Sequence, residues 1–209
     1  MCGCGALACA RGPTLYTPPR VTYGPVVDAF PLDYFPLSQR EKNTTGRCVH
    51  SATESILKAS GEFAKARQWQ AMYDGGEYST RLAERLSAAG ITFVMERGGD
   101  DRFLDWCCGG KFGGSHRMAA VTLITNHVLN LCAINSTHAY YLNNWVREDD
   151  DAPNSYRRSV ADVMTREAFV DDWRKRGGWA FTLLEVDGRP LAPPLPRPVV
   201  SAHSIYRGA

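Results

Sequence analysis

Apolar positions fall at helical spacing in the first half of the chain and gather into strand-length runs in the second. From Cys48 to Ser60, the residues Val49, Ala52, Ile56, Leu57 and Ala59 recur near helical intervals, and the pattern stops at Gly61, suited to a left-handed C-terminal cap. Phe63 to Tyr73 and Ser79 to Ala89 read as two further helices, the second closed by Gly90, with Ser79 and Thr80 offering an N-cap. After Gly90 the β-formers Ile91-Thr-Phe-Val-Met take over, followed by the apolar runs Ala119 to Thr125, Val128 to Ile134 and Ala139 to Leu142. Asn135-Ser-Thr suits a hairpin turn between the last two. A short helix is expected from Thr165 to Lys175, then a strand from Trp179 to Val186 that ends at the turn Asp187-Gly188.

Proline limits this pattern at both ends. Residues 1–36 contain prolines at 13, 18, 19, 25, 31 and 36 with neither a helical nor an alternating period, so they read as an extended N-terminal segment. The tail over 188–209 carries Leu191-Ala-Pro-Pro-Leu-Pro-Arg-Pro and is also expected to be extended. The folded core is therefore placed at 37–187, as a single α+β domain, and no internal repeat is visible.

Composition narrows the function classes. Of 209 residues, 44% are apolar and 22% charged, enough for a real core. A net charge of +2, with basic residues scattered among acidic ones, leaves nucleic-acid binding without support. No apolar run approaches the roughly 20 residues needed to span a bilayer. The N-terminus does not read as a secretory leader, and seven unevenly spaced cysteines look like reduced thiols, so an intracellular location is expected.

The candidate chemistry centres on Cys48. A thiol attacks as thiolate, and a helix N-terminus favours that anion through its unpaired amides and aligned peptide dipoles. Gly46 permits an irregular turn before it, and the Cys48 amide could face a substrate oxyanion. The thiol needs a base held in one tautomer by a third group, and His127 is the best candidate. If the strands on either side of Asn135-Ser-Thr pair, the start of one lies beside the end of the other, which brings Asn143 or Asn144 to the imidazole.

Gly46-Arg-Cys48, His127-Val-Leu and Asn143-Asn-Trp145, in that order, resemble the papain-like cysteine peptidase superfamily over roughly residues 39–145. The resemblance implies a helical lobe led by the nucleophile and packed on an antiparallel sheet or half-barrel, with the site between them. It implies a Cys48, His127, Asn143 triad, Trp145 shielding the His and Asn pair from water, and no cofactor or metal. Asn144 stands where the family has Ser. The family's oxyanion Gln falls at Lys42 here, so Asn43 or Gln39 is the substitute; Val49 replaces the following Trp, and Thr45 replaces a partner Cys. The implied activity is peptidase cleavage of a peptide or protein substrate through an acyl-enzyme. The same fold also serves transglutaminase-like or deamidating acyl transfer and non-catalytic binding modules.

Other residues have plainer readings. His138 is a rival base at the opposite end of the hairpin, and His50 points away from Cys48 around the helix, as a packing or surface residue. Cys107-Cys108 with His116 lacks the spacing of common zinc sites, and Cys2, Cys4 and Cys9 read as a thiol-rich end. Gly109 to Gly114 lacks the phosphate-loop ending and reads as a loop bordering the cleft. The sequons at Asn43 and Asn135 have meaning only in a secreted protein. Oligomeric state is not legible.

Overall fold

A computed structural model describes residues 46–109, 117–123, 127–144 and 162–191. Among them are five helices, α1 (Cys48–Ala59), α2 (Phe63–Met72), α3 (Ser79–Ala88), α4 (Arg102–Cys108) and α5 (Arg166–Lys175). Seven strands accompany them: β1 (Ile91–Glu96), β2 (Ala119–Leu123), β3 (His127–Ile134), β4 (His138–Leu142), β5 (Asp162–Thr165), β6 (Ala180–Val186) and β7 (Arg189–Pro190). They form one antiparallel sheet in the order β1-β6-β2-β3-β4-β5, with β7 paired to β6, and the sheet does not close into a barrel. No described helix is long and apolar enough to cross a membrane.

The sheet is covered on both faces. Val49, Ile56 and Leu57 of α1, Trp69 of α2, and Leu82 and Leu86 of α3 pack with Val128, Cys132 and Leu142 in one core. Phe103 and Leu104 of α4 and Phe169 and Trp173 of α5 pack with Leu129, Leu131 and Tyr141 in the other. Side chains alternate between faces along a strand, so a central strand between two helical layers must be apolar throughout. β2 and β3 are indeed buried along their whole length.

The periodic segments lie where the sequence placed them, with ends shifted by a residue or so. α1 closes in a Schellman pattern, with Gly61 N donating to Lys58 O and Glu62 N to Leu57 O. The β3–β4 hairpin turns on Asn135, whose Oδ1 accepts from the amides of Thr137 at 2.8 Å and His138 at 2.7 Å. Thr165 is the cap of α5 and not its first residue, its hydroxyl accepting from Ala168 N. One expected cap does not form: Tyr78 is the N-cap of α3, and Ser79 is already helical. An extended Tyr78 backbone leads into the helix without a side-chain bond, so burial of Leu82 and Leu86 holds α3 in place.

α4 and β5 are not evident as periodic patterns. α4 is seven residues long, fastened to α5 by Arg166, which grips Asp105 with both terminal nitrogens at 2.6 and 3.0 Å and reaches Asp101 at 3.1 Å. β5 has four residues and exists by pairing with β4. The sheet also runs beyond residue 187, through β7 to the buried Leu191.

A tight approach follows α5. Gly178 has φ +60°, and a Cβ there would collide with the backbone of Gly99. Neither side can yield without moving chain, so Gly178→Ala should lower stability by about 1–3 kcal/mol, read as a lower urea midpoint at unchanged m. A midpoint equal to wild type would show that the contact relaxes freely.

Candidate active site

α1 is buried around almost its whole circumference, which for an amphipathic helix would be anomalous but for one between a helical layer and a sheet is required. Its first residue is Cys48, partly exposed, while the thiols of Cys107, Cys108 and Cys132 are buried. Gly46 precedes it with φ +76°, a conformation that turns the chain sharply into the helix. The N-cap, Arg47, makes no side-chain bond to the first turn, and that turn holds no acidic residue. No carboxylate in the first turn therefore offsets the partial positive charge of the helix N-terminus at Cys48.

His127 opens β3, opposite Leu123 of β2, and is 3% exposed. Asn143 follows the end of β4. The β3–β4 register matches Asn130 with Leu142, so Asn143, one residue beyond β4, falls diagonally across from His127, and His127 Nε2 lies 2.9 Å from Asn143 Oδ1. An amide oxygen only accepts, so Nε2 carries the hydrogen and, in the neutral ring, Nδ1 carries the lone pair. Burial holds the His127 pKa below its ordinary value, and the Asn143 bond pulls it back up.

Of the two asparagines that sequence brought to the imidazole, Asn143 takes it. Asn144 turns to the other side, where its buried Nδ2 donates to Cys48 O and to Val128 O, each at 3.1 Å. The start of α1 and the start of β3 are thus two hydrogen bonds apart. Asn130 repeats the arrangement further along, its Nδ2 donating to Ala52 O at 2.9 Å. Asn130 was passed over in the sequence, yet a lone amide within Val-Leu-Asn-Leu-Cys signals a buried polar group that needs a partner.

The remaining expected site residues divide cleanly. Asn43, Gln39 and Trp145, the two oxyanion candidates and the shielding residue, lie outside the described residues, as do His116, Gly110 to Gly114, Cys2, Cys4 and Cys9. His138 sits at the far end of the hairpin from His127 and pairs with Thr137. His50 is a buried packing residue, stacked on Tyr73 at 5.4 Å between ring centres, with Trp69 at 5.7 Å and Glu77 at 3.9 Å. Buried Glu54 of α1 is bonded by the Arg47 guanidinium. Burial pushes Glu54 up to about 7 against the pull of Arg47. Burial likewise lowers His50 to about 4, partly countered by Glu77.

No protein-family model and no curated protein matches the chain.

Two titration predictions follow from these environments. Because Asn143 raises the His127 pKa, Asn143→Leu should lower it further and Asn143→Asp should raise it, as read by imidazole resonances in a Cys48→Ala background. Equal values in both variants would mean that the bond does not act on the ring. His50, depressed from 6.5 to about 4, contributes stability that is present above pH 6.5 and is lost as pH falls toward 4. Between pH 7.5 and 4.5 the wild type should therefore lose roughly 1–3 kcal/mol more than His50→Phe, the Glu54 contribution being common to both. Parallel stability curves would contradict a buried neutral His50.

Proposed function

We propose that this chain is a papain-like thiol hydrolase that cleaves peptide or related amide bonds, with Cys48 as nucleophile, His127 as base and Asn143 as the residue that orients the base. The observation that carries this reading is the 2.9 Å bond from His127 Nε2 to Asn143 Oδ1. It leaves Nδ1 as the basic nitrogen, which is the condition for an imidazole to take a proton from a thiol. Further support comes from Cys48 as the first residue of an uncapped buried helix and from the Asn144 amide that joins that helix to the base strand.

In the proposed cycle His127 Nδ1 takes the Cys48 proton, and the sulfur attacks the substrate carbonyl carbon to form the C–S bond. The oxyanion is held by backbone amide at the helix start, with Asn43 or Gln39 as the side-chain donor. Collapse breaks the C–N bond, and the imidazolium proton leaves with the amine. Water, deprotonated by His127, then hydrolyses the thioester and returns the thiol. Asn143 makes the imidazolium easier to form by accepting its Nε2 hydrogen throughout.

The test is labelling by a peptidyl acyloxymethyl ketone, with modified peptides mapped by mass spectrometry. Cys48 should react while Cys107, Cys108 and Cys132 do not, because burial raises the pKa of all three. His127→Ala should slow labelling by about a hundredfold or more. An unlabelled Cys48 in the folded wild type, or equal rates in the two proteins, rules the mechanism out.

A further inference from the structure

Asn144 does something that neither an orienting asparagine nor a simple packing residue would do. Its nitrogen carries two hydrogens, and it donates to two carbonyls that belong to different layers of the fold. One is the carbonyl of Cys48. The other is that of Val128, the residue that follows His127. The geometry points to Asn144 as a positioning residue of the thiol site: its two-donor amide fixes the start of α1 against the start of β3 and so sets the separation of Cys48 from His127. This inference rests on the reading of the site proposed above.

The chemistry of the position is demanding. Two carbonyl oxygens face one buried atom, so an ionised Asp would set negative charge against both of them, and a Ser hydroxyl, with one hydrogen, could satisfy only one. The amide cannot turn over, because that would aim Oδ1 at the same two oxygens. Oδ1 itself has no hydrogen-bond partner among the described residues, and the two donor bonds set the orientation of the amide. An acceptor left without a partner in a buried site is a cost, and the arrangement keeps it in order to join the two backbones.

Asn130 supplies the internal comparison. It lies two residues beyond Val128 on β3 and donates to Ala52, one turn beyond Cys48 on α1. Both asparagines hold the same helix to the same strand from buried positions. Only Asn144 holds the ends that carry the thiol and the imidazole. A residue that matters for stability alone would behave like Asn130, and a positioning residue would not.

The experiment follows Cys48 alkylation by iodoacetamide across pH 5–10 in the full chain, alongside thermal stability. Wild type, His127→Ala, Asn144→Ala, Asn144→Ser and Asn130→Ala are compared. Asn144→Ala should slow alkylation at neutral pH about tenfold and change its dependence on pH, as His127→Ala does. Asn144→Ser, keeping one donor, should fall between and is the decisive variant if the alanine does not fold. Asn130→Ala should lower the melting temperature while leaving the alkylation profile within about twofold of wild type. If Asn144 variants keep the wild-type profile, or if Asn130→Ala moves it as far, Asn144 is no positioning residue. A wild-type thiol that is indifferent to His127→Ala overturns instead the reading of the site on which the inference stands.

Discussion

Two buried amide groups hold a helix buried around almost its whole circumference to a strand buried along its whole length. α1 and β3 meet across a core of Val49, Ile56, Val128 and Cys132, and such apolar contact fixes closeness without fixing register. Hydrogen bonds supply the register, because an amide donor reaches only the carbonyl within about 3 Å of it. Asn144 on Cys48 and Val128 joins the start of α1 to the start of β3, and Asn130 on Ala52 adds a bond one turn further along. Each bond is worth only about 1 kcal/mol net, yet losing a donor leaves a buried carbonyl without its partner.

The same enclosure explains the unusual titrations near the thiol. α1 carries His50 and Glu54 on buried positions, and both favour their neutral forms because charge is costly away from water. Each has a partial answer, His50 in the aromatic rings of Tyr73 and Trp69 with Glu77 beside it, and Glu54 in Arg47. His127 is under the same pressure, and there the bond to Asn143 works against burial. The base proposed at His127 must stay neutral to accept a proton and must then tolerate the charge, and those opposed influences suit that role.

The elements that were legible in sequence were those whose pattern is repeated over enough residues to stand above chance. α1, α2 and α3 declare themselves by apolar spacing, and β1 to β4 and β6 by β-forming runs between turn residues. α4 escaped because seven residues give barely two turns, and its hold on the fold comes from Arg166 reaching Asp101 and Asp105 from α5. β5 escaped because an edge strand of four residues, with Val163 exposed, shows little alternation and owes its existence to β4.

The chain by itself determined the helix led by Cys48, the hairpin turning on Asn135, and hence that an asparagine after Leu142 would come near His127. These follow from local spacing and turn chemistry, which the order of residues encodes directly. Which asparagine takes the imidazole was decided only by tertiary structure. Successive residues point to opposite sides of an extended chain, and the helix packed on one side leaves two backbone carbonyls there that need donors. Asn144 answers them, and Asn143 is left to His127. The second helical layer was also a tertiary outcome, since a strand as uniformly buried as β3 needs cover on both its faces.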